Sequence, residues 1–357
     1  MSTSSPRYAL LDLLRVALAL LIFMFHSNMH FQCDYGFLNI LIGQGAFAMT
    51  GFFLLSGYSL RIAYGKKDLM EKKALKEFYI KRAFAILPLY YTYAVLFIIF
   101  LGKETLLENL LLLPIEGMGL QSTFSSLFGV THNGGTWFIS CLLLGYLIYP
   151  FLQTVVKQLP VNVEAFAIIL LICIDLWGVL VSNRFHTYWI YDNPFYRILE
   201  FSTGLLVADI NTKSNARLVN IIRSQGGLFG IGFAMLASIA VLQYIFRFRD
   251  FMIWNFIVLP CFVILLFSMG SKRVGFLEKS KLLGYASKIS YALFLFQPFV
   301  WKAGQLFVRQ TGYDHNWVRI SLSFILCAGV SALMYEIIQK RLVRYLQKGF
   351  STHKIIN

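Results

Sequence analysis

Two residues of the first apolar run, LLDLLRVALALLIFMFHSNMH, can do chemistry: Arg15 and His26. They are eleven positions apart. At about 100° per residue they return to nearly the same face of a helix, roughly 16 Å apart along its axis. A guanidinium stays charged and matches phosphate oxygens. An imidazole titrates near neutrality and takes a proton from a hydroxyl. Together they suit a linear donor with phosphates at one end and a reactive acyl group at the other, which is the shape of a coenzyme A thioester. The competing reading is that Arg15 snorkels to one interface, His26 rests at the other, and Asp12 pairs with Arg15 one turn away. The shared face argues against it, because one polar stripe needs one polar cavity.

The elements that position these residues are set by composition. The chain has 357 residues, 58% of them hydrophobic and 14% charged, with 34 Phe, 19 Tyr and 6 Trp, and its mean hydropathy is +0.65. A soluble domain is about one quarter charged, so a soluble enzyme and a disordered chain are both excluded. A spanning helix needs about 20 apolar residues. The pattern predicts an all-α polytopic membrane bundle. Its ten spans lie near 9–29, 38–60, 83–101, 136–153, 163–182, 195–210, 227–245, 252–270, 289–308 and 318–338. We read 1–357 as a single domain with no visible internal repeat. The N-terminal run reads as a retained anchor, with no cleavage-site pattern after it.

The net charge is +15, from 32 Lys+Arg against 17 Asp+Glu. These cations sit in short loops, so the excess reads as a topology signal and as contact with anionic lipid rather than nucleic acid. With the N-terminus inside, inner segments carry 23 Lys/Arg and outer connections 5, the remaining four lying in or beside spans. That bias predicts both termini in the cytoplasm. Between residues 60 and 83 a charged stretch suits an amphipathic surface helix or a solvated loop. LLENLLLLP, within 104–135, is too short to span and suits the interface or a re-entrant segment. Cys33, Cys141, Cys173, Cys261 and Cys327 form no close-spaced pair, so neither a disulfide framework nor a metal site is expected.

Other polar residues have two readings each. Arg82 opens the third span on the inner side, as a phosphate contact or a topology anchor. Arg197 and Glu200, three apart at the outer start of the sixth span, form an ion pair that locks the bundle or border an acceptor site. Trp137, after His132, Asn133, Gly134 and Gly135, stacks on a sugar or simply belongs to the interface. Ser56-Gly57 and Gly204 read as close-packing positions, and Ser290-Tyr291 as a hydrogen-bonding pair across helices. His30, His186 and His315 read as solvated loop residues.

These stretches, in order, resemble the signatures of acyltransferase family 3, integral-membrane enzymes that acylate mainly bacterial glycans. The matches are the Arg15–His26 spacing, GQGAFAMTGFFLLSGYSL (43–60), FYIKRAFAILPLYY (78–91), GGTWFISCLLLGYLIYP (134–150), PFYRILEFSTGLLVA (194–208) and LLGYASKISYALFLFQPF (282–299). Within them Phe53, Ser56, Gly57, Arg82, Pro88, Trp137, Arg197, Glu200, Phe201 and Gly204 fall where the family's motifs expect them. The chain departs from the pattern at Ala85, where many members have a second Arg, and at Leu142, where many have Glu. It departs again at Gln297, in place of a usual His, and at Gln339, in place of a usual Glu.

The resemblance implies a stand-alone member without an appended esterase-like domain, in the inner membrane of a bacterium. It implies transfer of an acyl group, acetyl first, from cytoplasmic acyl-CoA to a hydroxyl of a surface glycan or lipid-linked sugar. His26 would be the general base, and Arg15 with Arg82 would hold the donor. Arg197, Glu200 and Trp137 would lie on the acceptor side or act structurally. No cofactor is expected beyond acyl-CoA as co-substrate, no metal, and no particular oligomeric state. The alternative is a transporter or flippase of polysaccharide or lipid-linked sugar, which the same composition would suit.

Overall fold

The computed structural model describes residues 8–123, 135–185, 189–213, 225–247, 251–269 and 274–345. All regular elements among them are helical. We number the longer ones α1 (Ala9–Phe31), α2 (Ala48–Tyr64), α3 (Lys72–Phe100), α4 (Leu106–Gly117), α5 (Trp137–Gln158), α6 (Val161–Phe185), α7 (Pro194–Lys213), α8 (Gln225–Phe246), α9 (Asn255–Met269), α10 (Lys281–Leu295), α11 (Gln297–Thr311) and α12 (Asn316–Met334). Among the described residues, seven segments are long and apolar enough to cross a membrane: those of α1, α2, α3, α5, α6, α9 and α12. The architecture is therefore an all-α polytopic membrane bundle.

The other three expected spans differ for identifiable reasons. The sixth, α7, carries Arg197, Glu200 and Asp209, all buried, and is too polar to pass as a lipid-facing segment. The described apolar part of α8 is short, Gly230–Phe246. The ninth is two helices, because Pro298 falls in the first turn of α11 and supplies no amide to the carbonyl four residues back. The helix breaks at Phe296 and begins again at Gln297. The expected second span is also shorter: residues 36–47 form short turns of helix, and α2 begins at Ala48. Neither reading of 60–83 is met, since α2 runs on to Tyr64, α3 starts at Lys72, and only 65–71 is a connection.

The interior is organised around two long pairings. α2 packs along α7, and they touch backbone to backbone. A Cβ on Gly57 would stand 1.9 Å from the Phe201 carbonyl oxygen, and one on Gly204 1.9 Å from that of Leu54. No side chain can rotate away from such a clash, so both positions need glycine. α1 packs along α10 and continues beside α11. By contrast α3, α6 and α12 present mostly apolar surface, including Ile99, Phe166, Trp177, Phe324 and Ile325, as lipid-facing helices do.

Short α4 bears a capping box from Thr105 and Glu108 and exposes Leu106, Leu107, Leu110, Leu111 and Leu113. Tyr90 and Tyr91 of α3 hold it by donating to the carbonyls of Glu116 and Gly117 at 2.7 and 2.8 Å. That geometry suits an interfacial segment. At the basic end, Lys213 pairs with Glu164 at 2.5 Å and Asp209 at 2.6 Å, and Arg61 pairs with Asp209. Two cations that read as topology charges in the sequence thus also tie α2, α6 and α7 together.

Candidate functional site

A cavity of about 310 Å³ lies among α1, α2, α3, α5, α10 and the end of the α12 segment. Arg15 and Arg82 both line it, although they are far apart in the sequence. Arg15 donates to Ser287 Oγ at 3.1 Å and Ser59 Oγ at 3.4 Å. Ser287 in turn donates to Asp12 at 2.7 Å, and Asp12 itself stands 3.7 Å from the Arg15 guanidinium. Arg82 lies over the rings of Tyr64 and Tyr146, 5.4 and 5.8 Å from their centroids, and donates to the Tyr64 hydroxyl at 3.3 Å. Its buried Nε has no partner, and no carboxylate pairs with it among the described residues. The cavity is therefore lined by two guanidiniums and no carboxylate, Asp12 standing beside Arg15 outside the lining, with the hydroxyls of Ser56, Ser59, Ser287, Ser290 and Tyr146 among the lining groups. Such a site attracts a dianion like a pyrophosphate.

The far end of the cavity is aromatic: Phe52, Phe53, Phe138 and Phe294. His26 is absent from the lining. The Arg15–His26 stripe thus does not share one cavity: of the lining rings, it is Phe294 that stands beside His26. His26, half-buried, lies beyond them, with its ring 6.1 Å from that of Phe294 and 5.7 Å from that of His30. Its Nδ1 is 2.6 Å from Gln297 Oε1. An amide oxygen can only accept, so Nδ1 carries the hydrogen and Nε2 presents a lone pair. The break between α10 and α11 brings Gln297 to this position, and Gln297 is buried. Gln297 thus holds the tautomer whose free lone pair is on Nε2.

Arg197, Glu200 and Trp137 form a separate cluster. Arg197 is 1% exposed. It donates to Glu200 at 2.7 Å, to the Tyr191 carbonyl at 2.7 Å and to Thr50 at 3.3 Å. Its guanidinium lies over the rings of Tyr191, Phe53 and Trp137 at 4.9, 5.5 and 5.6 Å. Asn255 donates to both Glu200 and Asp175, at 3.1 and 3.2 Å. Trp137 is 5% exposed, its ring against Arg197 rather than open to solvent. Nearby Asp192, outside the spans, has its carboxyl raised to about 6 by burial, against the pull of Arg197. His132, Asn133, Gly134 and His186 lie outside the described residues. His30 and His315 are exposed, and Tyr291 does cross helices, donating to the Ile86 carbonyl at 3.0 Å.

The sequence reading did not identify Tyr64, Tyr146, Ser59, Ser287 or Phe294 as parts of one site. It flagged Ala85, Leu142 and Gln339 only as departures, and all three line the cavity. Gln339 closes a π-helical turn, Tyr335–Gln339, and donates to the Ala85 carbonyl at 3.1 Å. Such a widened turn often marks a functional site, but no local sequence pattern announces it.

No curated protein matches the chain, and no solved structure does. A family model for an acyltransferase domain matches residues 8–336. The match takes in both guanidiniums of the cavity, His26 and Gln297, and leaves only the two ends of the chain outside, so the chain belongs to acyltransferase family 3.

Proposed function

We propose that the chain takes an acyl group, acetyl first, from acyl-CoA and delivers it to a hydroxyl of a surface glycan or lipid-linked sugar. The observation that supports this best is the polarity of the cavity. Two under-neutralised guanidiniums stand at its basic end, and its aromatic end stops beside His26. The donor's phosphates would lie against Arg15 and Arg82, with the pantetheine arm running toward the rings. His26 Nε2 takes the proton of the acceptor hydroxyl as that oxygen attacks the thioester carbonyl. The C–S bond breaks, and the thiolate of CoA recovers the proton from His26. Gln297 accepts from Nδ1 throughout and steadies the imidazolium formed in between. The Arg197–Glu200 pair, with Trp137 packed on it, serves structurally in this reading.

The charge bias of the loops supports a donor end facing the cytoplasm and His26 facing outward, and in this reading the membrane is a bacterial inner membrane. No observation favours transport, and family membership speaks for acyl transfer. The test is expression in a glycan-producing host with mass spectrometry of O-acyl groups. We expect His26→Ala to lower acylation by about 10²–10⁴-fold, the range of general-base catalysis. Undiminished acylation by a normally expressed His26→Ala would remove His26 from the reaction.

A further inference from the structure

One lining ring of the cavity, that of Phe294, also stands beside His26. On α10, Ser287 and Phe294 are seven residues apart, two helical turns or about 10 Å. Both face the cavity. Ser287 belongs to the polar end, bonded to Arg15 and Asp12, and Phe294 to the aromatic end. The Phe294 ring packs edge-on against Phe138, centroids 4.5 Å apart and planes at 83°. Its other neighbour is the His26 ring at 6.1 Å. Three residues on, Gln297 holds His26. The cavity thus lies on one side of the Phe294 ring and the proposed base on the other.

We propose that Phe294 determines the length of acyl chain the enzyme accepts, closing the cavity so that short acyl groups are transferred and longer ones refused. This rests on the donor reading above. For transfer, the thioester carbon must come within about 3–3.5 Å of the oxygen that His26 activates. The acyl group must therefore lie against Phe294 at that moment. The cavity, about 310 Å³, sits at the small end of ligand pockets. An acetyl group asks little of the Phe294–Phe138 pair, whereas every added methylene presses on an edge-to-face contact that is already closed. A methylene that does not fit is discriminated by at least about 10-fold. The residue acts at the acyl end alone, since the phosphate-facing groups lie two turns away.

The experiment uses the purified full chain in detergent and titrates CoA, acetyl-CoA, butyryl-CoA and hexanoyl-CoA into wild type, Phe294→Ala and Phe294→Leu. We expect wild type to bind CoA and acetyl-CoA at least about 100-fold more tightly than hexanoyl-CoA. In both variants the hexanoyl-to-acetyl affinity ratio should rise by about 10–100-fold, each affinity being scaled to the same variant's CoA affinity. Phe294→Leu keeps most of the packing volume, so it reports even if Phe294→Ala does not fold, and CoA binding certifies each sample. A variant that binds CoA normally but keeps the wild-type chain-length profile overturns the role of Phe294 and leaves the donor reading intact. Wild type that binds no CoA overturns the donor reading, and this inference with it.

Discussion

Two of the places where arginine enters this apolar bundle, around Arg197 and in the cavity, are opposites. Around Arg197 stand the carboxylates of Glu200, Asp175 and Asp192, one guanidinium to three acids. Its N–H groups go to a carboxylate, a carbonyl and a hydroxyl, and aromatic rings cover its faces. The cavity is lined by two guanidiniums and no carboxylate, and Asp12 stands beside Arg15 outside the lining. Arg82 there has only phenol rings and a hydroxyl, and its Nε is left over. A buried charge that is fully answered within the protein holds structure together, and its loss strands its partners. One that is answered only in part, beside empty space, is waiting for a ligand of opposite sign. Family membership alone would not sort the arginines in this way.

The largest test of this contrast is Arg197→Gln. It leaves Glu200 charged and buried, at a cost of about 3–5 kcal/mol. The melting temperature in detergent should fall strongly, and Arg197→Gln with Glu200→Gln should recover part of the loss. A variant as stable as wild type would show that Arg197 is not structural. Next in size is Arg82→Gln. On the proposed donor reading it removes a charge-assisted phosphate contact worth about 1.5–3 kcal/mol, or roughly 10–100-fold in CoA affinity. The melting temperature of the apo protein should hardly move, because no carboxylate is stranded. If Arg82→Gln destabilises as much as Arg197→Gln, the two sites are alike and the contrast fails.

The smallest test is Asp192→Asn. Burial raises the Asp192 carboxyl in the folded protein from its ordinary 3.8 to about 6. The folded state therefore binds its proton more tightly than the unfolded state. Stability at this site is lost as pH rises from about 4 to about 6, and the penalty persists above that. Asp192→Asn should stabilise by about 1–2 kcal/mol at pH 7.5, the shift being discounted for partial solvent screening, and by almost nothing at pH 4. A gain that is the same at both pH values would show that the charge of Asp192 is irrelevant.

Much of this was legible in the chain, for local reasons. Helical spans announce themselves because lipid requires long apolar runs with internally satisfied backbone. Arg15 and His26 stood out because ionisable groups are rare there, and their shared face followed from helix geometry. Arg82 was legible as a cation of the third span, but it does not head it, because that helix begins ten residues earlier at Lys72. Gly57 and Gly204 read as packing positions, and they are where two backbones meet. The ninth span shows the limit. Its apolar run was plain, but Pro298 divides it, and the helix starts eight residues before the expected boundary, at Lys281 rather than 289.

What the amino-acid sequence determined by itself was the class of the molecule, the charge asymmetry of its loops, and the few polar residues that membrane chemistry singles out. Those follow from the character of each segment against lipid and water. Only the tertiary structure decided which arginines are neutralised. The pairing of His26 with Gln297 joins residues 271 positions apart, and that of Arg15 with Ser287 joins residues 272 apart. Only it decided that Arg15 and His26, on one helix face, are separated by the ring of Phe294. A charge's role depends on its nearest neighbours in three dimensions, and in a bundle those neighbours come from other helices.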